Sequence, residues 1–461
     1  MTETTYFHDI QVGQRFPLTV KRLGINGEGI GYYKRTIVFV TGALPDEVIV
    51  AEVTAIAPKF VNAKIHSLRE KSAQRVAPRD PDYYGQIADT ELEHLSYPAQ
   101  LAFKVDVIRQ ALEKFKPRDY QQYDLRPTIK LETPYEYRYQ AKFQVRKVND
   151  HVAAGLFREP SHELIDLTNF NIQRPATMQA IRYTVQLLEE LAVPIYDEQQ
   201  NSGIIKAMAV RESFSTGHLQ LTFITNSRKL PHKRELLSRI QADLPQVTSI
   251  MQNVDQKQLA AMENLILFGN DYLTETSANL AYRVSALTLL PTNPPQTEKL
   301  IALVQTALQL APHESLVDAY CGSGIFGLAL AHIASEVRGI DPLPNAINTA
   351  QQNAALNQIE NTHYQVGKPE TILTEWAAAD FTPDALLVTP PRTGLDQPLL
   401  HAILASRPQK FVYVSCNPAT LARDLVTLSE AYSVDYIQSI DLNPQTAQIT
   451  AVVRFKKNKL Y

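Results

Sequence analysis

The chain has 461 residues, of which 44% are hydrophobic and 20% charged, and its formal net charge is −3 at pH 7. This composition is typical of a globular protein and excludes one that is coated everywhere in basic residues. No apolar run approaches the roughly 18 residues of a membrane span, and Met1-Thr-Glu-Thr-Thr5 lacks the basic start and apolar stretch of a signal peptide. We therefore expect a cytoplasmic protein of about three domains with no membrane partner.

Residues 11–68 contain short β-type runs separated by glycines, which predict a small β-barrel. Basic residues, among them Lys21 and Arg22, fall on or between these runs. Residues 1–80 hold 11 Lys/Arg against 8 Asp/Glu, whereas the remainder holds 34 against 40. This asymmetry hints at a polyanionic partner at one end of the molecule, although a solvated domain face accounts for it equally well.

Residues 71–275 mix helical and β periodicity and predict a central α+β domain. Apolar residues at 101, 105, 108, 112 and 115 indicate an amphipathic helix that begins at Pro98. Strict alternation from Tyr135 to Arg146 predicts a strand whose outer face carries Arg138 and Lys142. That face either contacts only solvent or forms part of a surface that binds an RNA backbone.

From about residue 293 helix and strand alternate. Helices are predicted at 297–310, 325–334, 345–357 and 419–431, and strands at 316–320, 337–340, 384–388 and 410–415. This order predicts a mostly parallel, doubly wound α/β sheet with ligands at the carboxyl ends of its strands. Two last β runs, at 434–440 and 448–455, predict a hairpin that adds an antiparallel edge.

A glycine-rich turn follows the first strand of this sheet. Asp318 precedes it, Gly322 and Gly324 lie within it, and Asp341 closes the next apolar run. Glycines permit close approach of a ligand, a helix start offers free N–H groups, and a later acidic residue can accept from ribose hydroxyls. The pattern predicts a nucleoside site that fits S-adenosylmethionine better than NAD, because the third glycine, Gly327, already lies in an apolar helix. An ordinary strand-to-helix turn can contain the same glycines.

Two further loops, 389–394 and 415–420, follow strands of the same sheet and should meet the glycine turn at one edge. Cys416 lies between a strand end and a helix start, where helix N–H groups can stabilise a thiolate. A lone cysteine is more often a packing residue. Beside the other two loops, however, a reactive thiol is favoured. The chain has one other cysteine, Cys321, so a disulfide framework or four-thiolate site is excluded.

These motifs together resemble those of the RNA uracil-5-methyltransferases, the TRAM-bearing enzymes that make 5-methyluridine in ribosomal and transfer RNA with S-adenosylmethionine. The resemblance covers nearly the whole chain and is carried by the barrel and by His94-Leu-Ser-Tyr97, Phe157-Arg-Glu-Pro-Ser-His162, Ile250-Met-Gln-Asn253, Tyr320-Cys-Gly-Ser-Gly324, Pro390-Pro-Arg392 with Gly394-Leu395, and Ser415-Cys-Asn-Pro-Ala-Thr-Leu421.

The resemblance implies a multidomain fold: a TRAM/OB-like β-barrel at 1–70, a central α+β RNA-binding domain at 71–275, and a class I methyltransferase domain at 276–461. It implies that Cys416 is the nucleophile and adds to carbon 6 of uracil. The implied cofactor contacts are Asp318, Tyr320, Gly322, Gly324 and Asp341, and the expected RNA contacts are Lys21, Arg22, Arg138, Lys142 and Arg392. The expected partner is RNA, ribosomal in preference to transfer RNA, bound by a monomer.

Several positions depart from the family pattern. Thr389 replaces an aspartate that should help hold uracil, Pro291 replaces a cofactor-binding glutamine, and Thr450 replaces the glutamate base. The positions of the four cysteines that hold an iron–sulfur cluster in many members fall near Asp80, Ile87, Thr90 and Phe170, so we expect no cluster. The alternatives are an active enzyme, an RNA-binding protein whose methyltransfer site has decayed, and a protein that keeps the cofactor but acts on another substrate.

Overall fold

The computed structural model describes residues 10–158, 161, 163–255, 263–285 and 292–458. The first unit comprises β1 (Arg15–Thr19), β2 (Arg22–Leu23), β3 (Gly29–Tyr33), β4 (Thr36–Thr41), β5 (Val48–Ala57) and β6 (Phe60–Glu70). These strands lie in the order β1-β5-β6-β4-β3-β2. The sheet curls so that β3 approaches β1, because Gly31 leaves room where a Cβ would come within 2.8 Å of Leu18. The small barrel is confirmed.

After the barrel come α1 (Tyr97–Phe115) and β7 (Asp124–Ile129). The central unit then comprises β8 (Gln140–Val148), β9 (His151–Phe157), β10 (Leu164–Asp166), α2 (Pro175–Glu190), β11 (Ile205–Glu212), β12 (Leu219–Thr225), α3 (Lys233–Asp243), β13 (Val247–Val254) and β14 (Glu263–Phe268). Its sheet order is β10-β9-β8-β11-β12-β13-β14. Helices α2 and α3 share one hydrophobic core with alternate residues of these strands, such as Phe143 and Val145.

The strand predicted from Tyr135 begins only at Gln140. Glu136 has φ 53°, a left-handed conformation that breaks an extended strand. The alternation itself is observed, because Tyr137, Tyr139 and Phe143 are buried.

The hairpin β15 (Leu273–Ser277) and β16 (Leu280–Val284) leads to the third unit. Its elements are α4 (Pro294–Leu308), β17 (Ser315–Ala319), α5 (Ile325–Leu330), β18 (Glu336–Asp341), α6 (Pro344–Leu356), β19 (Thr362–Val366), α7 (Pro369–Ala378), β20 (Ala385–Val388), α8 (Gln397–Ser406), β21 (Lys410–Ser415), α9 (Pro418–Leu428), β22 (Tyr432–Ile440) and β23 (Thr450–Lys457). Proline stands in the first turn of α4, α6, α7, α8 and α9, where its missing N–H costs no helical hydrogen bond. β19, α7 and α8 were not predicted from the sequence.

The third sheet has the order β19-β18-β17-β20-β21-β23-β22-β7. The strands from β19 to β21 are parallel, and β23 runs antiparallel between β21 and β22. The prediction that the closing hairpin forms the edge is therefore wrong. The second strand of the hairpin inserts into the sheet, and β7 pairs with β22 to form the edge.

The segment 71–275 divides between two units. Its strand β7 belongs to the third sheet, and α1 contacts α9 and shares the hydrophobic core that contains β20, β21 and α9. The predicted apolar face of α1 is rotated, because Leu101 and Val105 are only partly buried. The buried residues of α1 are Gln100, Phe103, Lys104, Val107, Ile108, Ala111 and Leu112. None of the described helices is long and apolar enough to cross a membrane.

Candidate active site

Three loops meet at one edge of the third sheet. β17 pairs in parallel with both β18 and β20, and β20 pairs in parallel with β21. The carboxyl ends of these four strands, at Ala319, Asp341, Val388 and Ser415, therefore lie at the same edge, where open α/β sheets bind ligands. The loops 320–324, 389–395 and 416–417 begin there, as the sequence predicted.

The glycine loop is built on left-handed backbone. Tyr320, Gly322 and Gly324 have φ values of 64°, 57° and 80°. The Gly322 N–H donates to Asp341 Oδ2 at 3.0 Å, and the Leu343 N–H donates to Asp341 Oδ1 at 2.9 Å. A Cβ built at Gly322 would meet nothing within 4 Å, so its backbone faces open space. A glycine turn fixed by a strand-end carboxylate, with room beside it, fits a nucleoside ligand.

Asp318 lies behind this loop. Its side chain is completely buried, and its Oδ2 accepts from the Gly327 N–H at 3.0 Å in the first turns of α5. Burial raises the pKa of Asp318 to about 7. Asp318 therefore anchors the helix that follows the loop, while Asp341 and the glycines border the open space.

Thr389 directly follows β20 and links the glycine loop to the end of that strand. Its Oγ1 donates to the Tyr320 carbonyl oxygen at 2.8 Å, and its N–H donates to the Ala319 carbonyl oxygen at 3.1 Å. The hydroxyl proton is thus committed to Tyr320, and the remaining lone pairs of Oγ1 can only accept.

Cys416 is half-buried between β21 and α9. Asn417 caps the helix, with its Oδ1 accepting from the Ala419 N–H at 3.1 Å. Burial raises the pKa of the Cys416 thiol, whereas the positive charge of Arg392 lowers it, and the net shift is upward. The expectation that helix N–H groups stabilise a thiolate at Cys416 stays a prediction.

Thr450 lies at the same end of the sheet as Cys416. Ser415 pairs with Ala451 across the antiparallel β21–β23 ladder, so the next residue outward on each strand is Cys416 on one and Thr450 on the other. Thr450 is 8% exposed. A threonine hydroxyl cannot accept a proton near neutral pH.

A family model described as tRNA (uracil-5-)-methyltransferase matches residues 96–458, and a TRAM domain model matches residues 10–66. The chain belongs to the tRNA (uracil-5-)-methyltransferase family. An "Uncharacterized RNA methyltransferase" of Lactiplantibacillus plantarum is 56% identical, with 97% of this chain and 94% of the relative covered. One of Enterococcus faecalis is 46% identical, with 97% and 99% covered. The fold is similar to that of the tRNA (uracil-54, C5)-methyltransferase of Pyrococcus abyssi in complex with S-adenosyl-L-homocysteine, with a TM-score of 0.74 at 22% identity, covering 96% of this chain and all of that one.

The structure separates the expected RNA contacts of this methyltransferase family member into two groups. Lys21 and Arg22 on the barrel, Lys142 on β8 and Arg392 beside the cleft are exposed. Arg138 is different, because its Nη1 donates to Asp89 Oδ2 at 2.6 Å and the two side chains are 17% and 15% exposed. The expectation that Arg138 presents a free charge to RNA is wrong, since its partner neutralises it.

The four positions near which the resemblance places cluster cysteines hold hydrogen-bonding or apolar side chains. Asp80 accepts from the backbone N–H and the side chain of Asn171 at 2.9 and 2.6 Å, and Thr90 donates to the Ile87 carbonyl oxygen at 3.2 Å. Phe170 packs edge-on against Tyr83. Among the described residues no group of three or more His, Cys, Asp or Glu side chains could hold a metal ion. Pro291, and most of the motif at 159–162, lie outside the described residues.

Sequence analysis missed the buried polar residues that support the cleft. Lys104 of α1 donates to Asp441 Oδ1 at 2.5 Å, and both side chains are fully buried. Asp424 of α9 is also fully buried. For Lys104 and Asp424 a signal was present, because each is a charged residue within the apolar period of an amphipathic helix. Identifying its partner required the tertiary structure.

Proposed function

We propose that the protein methylates carbon 5 of a uridine in RNA, with Cys416 as the nucleophile. The observation that carries the proposal is the convergence at one sheet edge of the glycine loop, the Asp341 carboxylate and the half-buried Cys416 thiol. Family membership and the TRAM domain support RNA as the substrate class. The cytoplasmic location and the monomeric state stay predictions.

The residues at the glycine loop fit S-adenosylmethionine. Asp341 keeps lone pairs beside the open space at Gly322 that can accept from ribose hydroxyls, and the half-buried ring of Tyr320 borders the same loop. When bound, S-adenosylmethionine supplies an electrophilic methyl group. We infer that Asp341 and the glycine backbone orient the cofactor. We also infer that Asp318 fixes the helix after the glycine loop through its hydrogen bond with the Gly327 N–H.

Carbon 5 of uracil is a weak nucleophile, and covalent addition solves this problem. The Cys416 thiolate forms a bond to carbon 6, and the electron pair of the 5,6 double bond moves into an enolate that makes carbon 5 nucleophilic. The methyl group would pass to carbon 5 with loss of S-adenosylhomocysteine. A base then takes the proton from carbon 5, the 5,6 double bond re-forms, and the bond between carbon 6 and Cys416 Sγ breaks to release the thiolate. Thr450 stands at the position of that base in the family pattern and cannot take the proton.

The proposed RNA is ribosomal, with the 23S molecule as the first candidate. The family model and the Pyrococcus abyssi neighbour carry the names of transfer RNA enzymes, so both RNA classes belong in the test. RNA from a strain that lacks the gene should show a loss of 5-methyluridine at one ribosomal position by mass spectrometry. Purified protein should restore it, and Cys416→Ala should not. Restoration only in transfer RNA would overturn the choice of substrate.

A second candidate is an RNA-binding protein with an impaired methyltransfer site. It is favoured by Thr450 at the base position and by the net upward shift of the Cys416 pKa. Calorimetric titration with S-adenosylmethionine separates the two candidates. An active enzyme should bind the cofactor, and the loss of binding in Asp341→Ala would show that binding takes place in this site. Tight RNA binding without cofactor binding would establish the second candidate.

A further inference from the structure

The segment 389–395, Thr389-Pro-Pro-Arg-Thr-Gly-Leu395, is here named the proline loop. Side chains of α9 and its cap fasten this loop by its backbone. Asn417 Nδ2 donates to the Arg392 carbonyl oxygen at 2.8 Å. The Thr420 hydroxyl proton is shared between the carbonyl oxygens of Asn417 and Arg392, at 3.1 and 3.3 Å. Arg423 Nη2 donates to the carbonyl oxygens of Thr393 and Leu395, at 2.9 and 3.0 Å. The loop is therefore held by the same helix that begins after Cys416.

Asp424 completes the attachment from inside the protein. Its Oδ2 accepts from the Leu395 N–H at 2.8 Å and from the Tyr413 hydroxyl at 2.9 Å, and its Oδ1 accepts from Arg423 Nε at 2.8 Å. Gly394 has φ +76°, and a Cβ there would come within 2.6 Å of Asp424 Oδ2. The loop thus sits directly on a buried carboxylate, which leaves it little freedom to move away from α9.

Arg392 is the charged residue of the fastened loop, and its side chain is exposed. Among the described residues its guanidinium has no ion-pair partner, in contrast to Arg423, which pairs with Asp424 at 2.7 Å. The backbone of Arg392 is held by Asn417 and Thr420, which follow Cys416 at the start of α9. Asn417, the chain neighbour of Cys416, thus holds the backbone of a loop that carries an unpaired cation, and a cation near a thiol favours the thiolate.

We propose that Arg392 is the cation that stabilises the thiolate of Cys416, and that α9 fastens the proline loop so that this guanidinium stays beside the sulfur. The inference rests on Cys416 as the nucleophile of the proposed function. Arg392 acts through Cys416 and is therefore a positioning residue, whereas the sequence analysis assigned it to RNA contact.

Among the described residues, the titratable groups on the elements that adjoin Cys416 add no net positive charge. On β21, burial raises the pKa of Tyr413, so its phenol is neutral. On α9, Arg423 and Asp424 neutralise each other. In the glycine loop, burial raises the pKa of Tyr320 to about 12, and Thr450 on β23 carries no charge. The lowering of the Cys416 pKa by Arg392 agrees with this arrangement.

The ionisation of Cys416 can be measured in the full-length protein without RNA or cofactor. Iodoacetamide alkylation would be followed by intact mass from about pH 6.5 to about pH 10, a range that brackets the ordinary thiol pKa. Cys321 is 3% exposed and burial raises its pKa, so this thiol should react slowly. The alkylation of Cys321 alone is measured in the Cys416→Ala variant. The variants are Arg392→Gln and Arg392→Lys. The control is Arg118→Gln, which, like Arg392→Gln, removes one exposed positive charge, here from the loop after α1.

Arg392→Gln should slow alkylation at about pH 7.5 by about three- to tenfold, because the thiolate fraction falls tenfold for each unit by which the pKa rises. Arg392→Lys and Arg118→Gln should stay near the wild-type rate. Thr420→Val removes the hydroxyl that the Arg392 and Asn417 carbonyl oxygens share, so it should slow alkylation by at most about twofold, and Thr420→Ser should not slow it.

Equal rates for Arg392→Gln and Arg118→Gln would overturn the proposal. A variant that failed to fold would expose both thiols and would therefore be alkylated faster than the wild type. The proposal predicts slower alkylation, so the two outcomes are distinguishable. If Arg392→Gln lost RNA binding but kept the wild-type thiol titration, Arg392 would be an RNA contact only. If Cys416→Ala still methylated RNA, the proposed function itself would fail, whatever the alkylation rates showed.

Discussion

Thr450 is the residue to which the resemblance assigns the position of the catalytic base. If Cys416 adds to uracil and the methyl group is transferred, the proton on carbon 5 lacks an acceptor at this position, so the covalent protein–RNA adduct should persist and turnover should be slow. Thr450→Glu should raise turnover by about 10²–10⁴-fold and reduce the adduct, since general base catalysis has this magnitude. Labelled RNA on a denaturing gel measures both quantities.

Thr450→Gln is the matched control for this experiment, because it has the shape of glutamate without the basic oxygen. Cys416→Ala should abolish the adduct. Rapid turnover of the wild-type protein with no accumulated adduct would contradict the prediction and show that another group removes the proton.

Asp318 gives a prediction about pH. Its pKa is raised to about 7 by burial, so between about pH 4 and about pH 7 the folded protein binds the proton that the unfolded chain has released. Its contribution to the free energy of unfolding therefore falls as pH rises through this window, by up to about 1.4 kcal/mol per pH unit. Asp318→Asn keeps an acceptor for the Gly327 N–H and removes the titration.

The measurement is the melting temperature of the methyltransferase domain from pH 4 to about pH 8, the window set by the ordinary and the raised pKa of Asp318. Relative to the wild type, Asp318→Asn should gain stability as pH rises. Parallel curves for the two proteins would show that Asp318 does not titrate in this window.

At the level of secondary structure, α1 is tied to the segment that precedes Thr450. Lys104 Nζ donates to Asp441 Oδ1 and also to the Asn443 carbonyl oxygen at 2.9 Å. One turn earlier, Gln100 Nε2 donates to Gln445 Oε1 at 2.9 Å, and Gln100 Oε1 accepts from the Gln445 N–H at 3.0 Å. A helix distant in sequence thus fixes the segment between β22 and β23 that borders the cleft.

Breaking this buried pair should be costly. Lys104→Met should lower the free energy of unfolding of the methyltransferase domain by about 3–5 kcal/mol, because it leaves the Asp441 charge buried and unpaired. The double variant Lys104→Met/Asp441→Leu should recover most of the loss. The free energy of unfolding is measured by urea denaturation, with the fluorescence of Trp376 as the signal. A double variant no more stable than the single one would show that shape, not charge, determines the effect.

At the level of the whole molecule, the barrel packs against the rest of the protein. Leu23 and Leu44 of the barrel share a hydrophobic core with Leu92 and Leu95, and Arg75 pairs with the buried Glu47 at 2.5 Å. Deleting residues 1–68 should weaken RNA binding, but it would also expose this apolar contact. Charge substitutions on the exposed face test the barrel more cleanly.

Lys21→Gln/Arg22→Gln should weaken binding of structured RNA and reduce the slope of log K against log salt by about 1–2, because each lost phosphate contact removes about 0.9 from the slope. Filter binding at several salt concentrations measures it, with Lys116→Gln/Arg118→Gln as the charge-matched control. Unchanged affinity and slope would show that the barrel does not contact RNA through these residues.

The sequence by itself determined the fold class, because barrel, central sheet and doubly wound sheet each have a local signature in period, glycine placement and strand–helix alternation. It also brought the glycine loop, Asp341 and Cys416 to one edge, since parallel strands order their carboxyl ends. Only the tertiary structure decided that β7 joins the third sheet and α1 packs in the core beneath it, that Arg138 is neutralised by Asp89, and that α9 fastens the loop carrying Arg392. These features depend on partners tens to hundreds of residues away. Periodicity reports which face of an element is buried, and it carries no information about which distant residue covers that face.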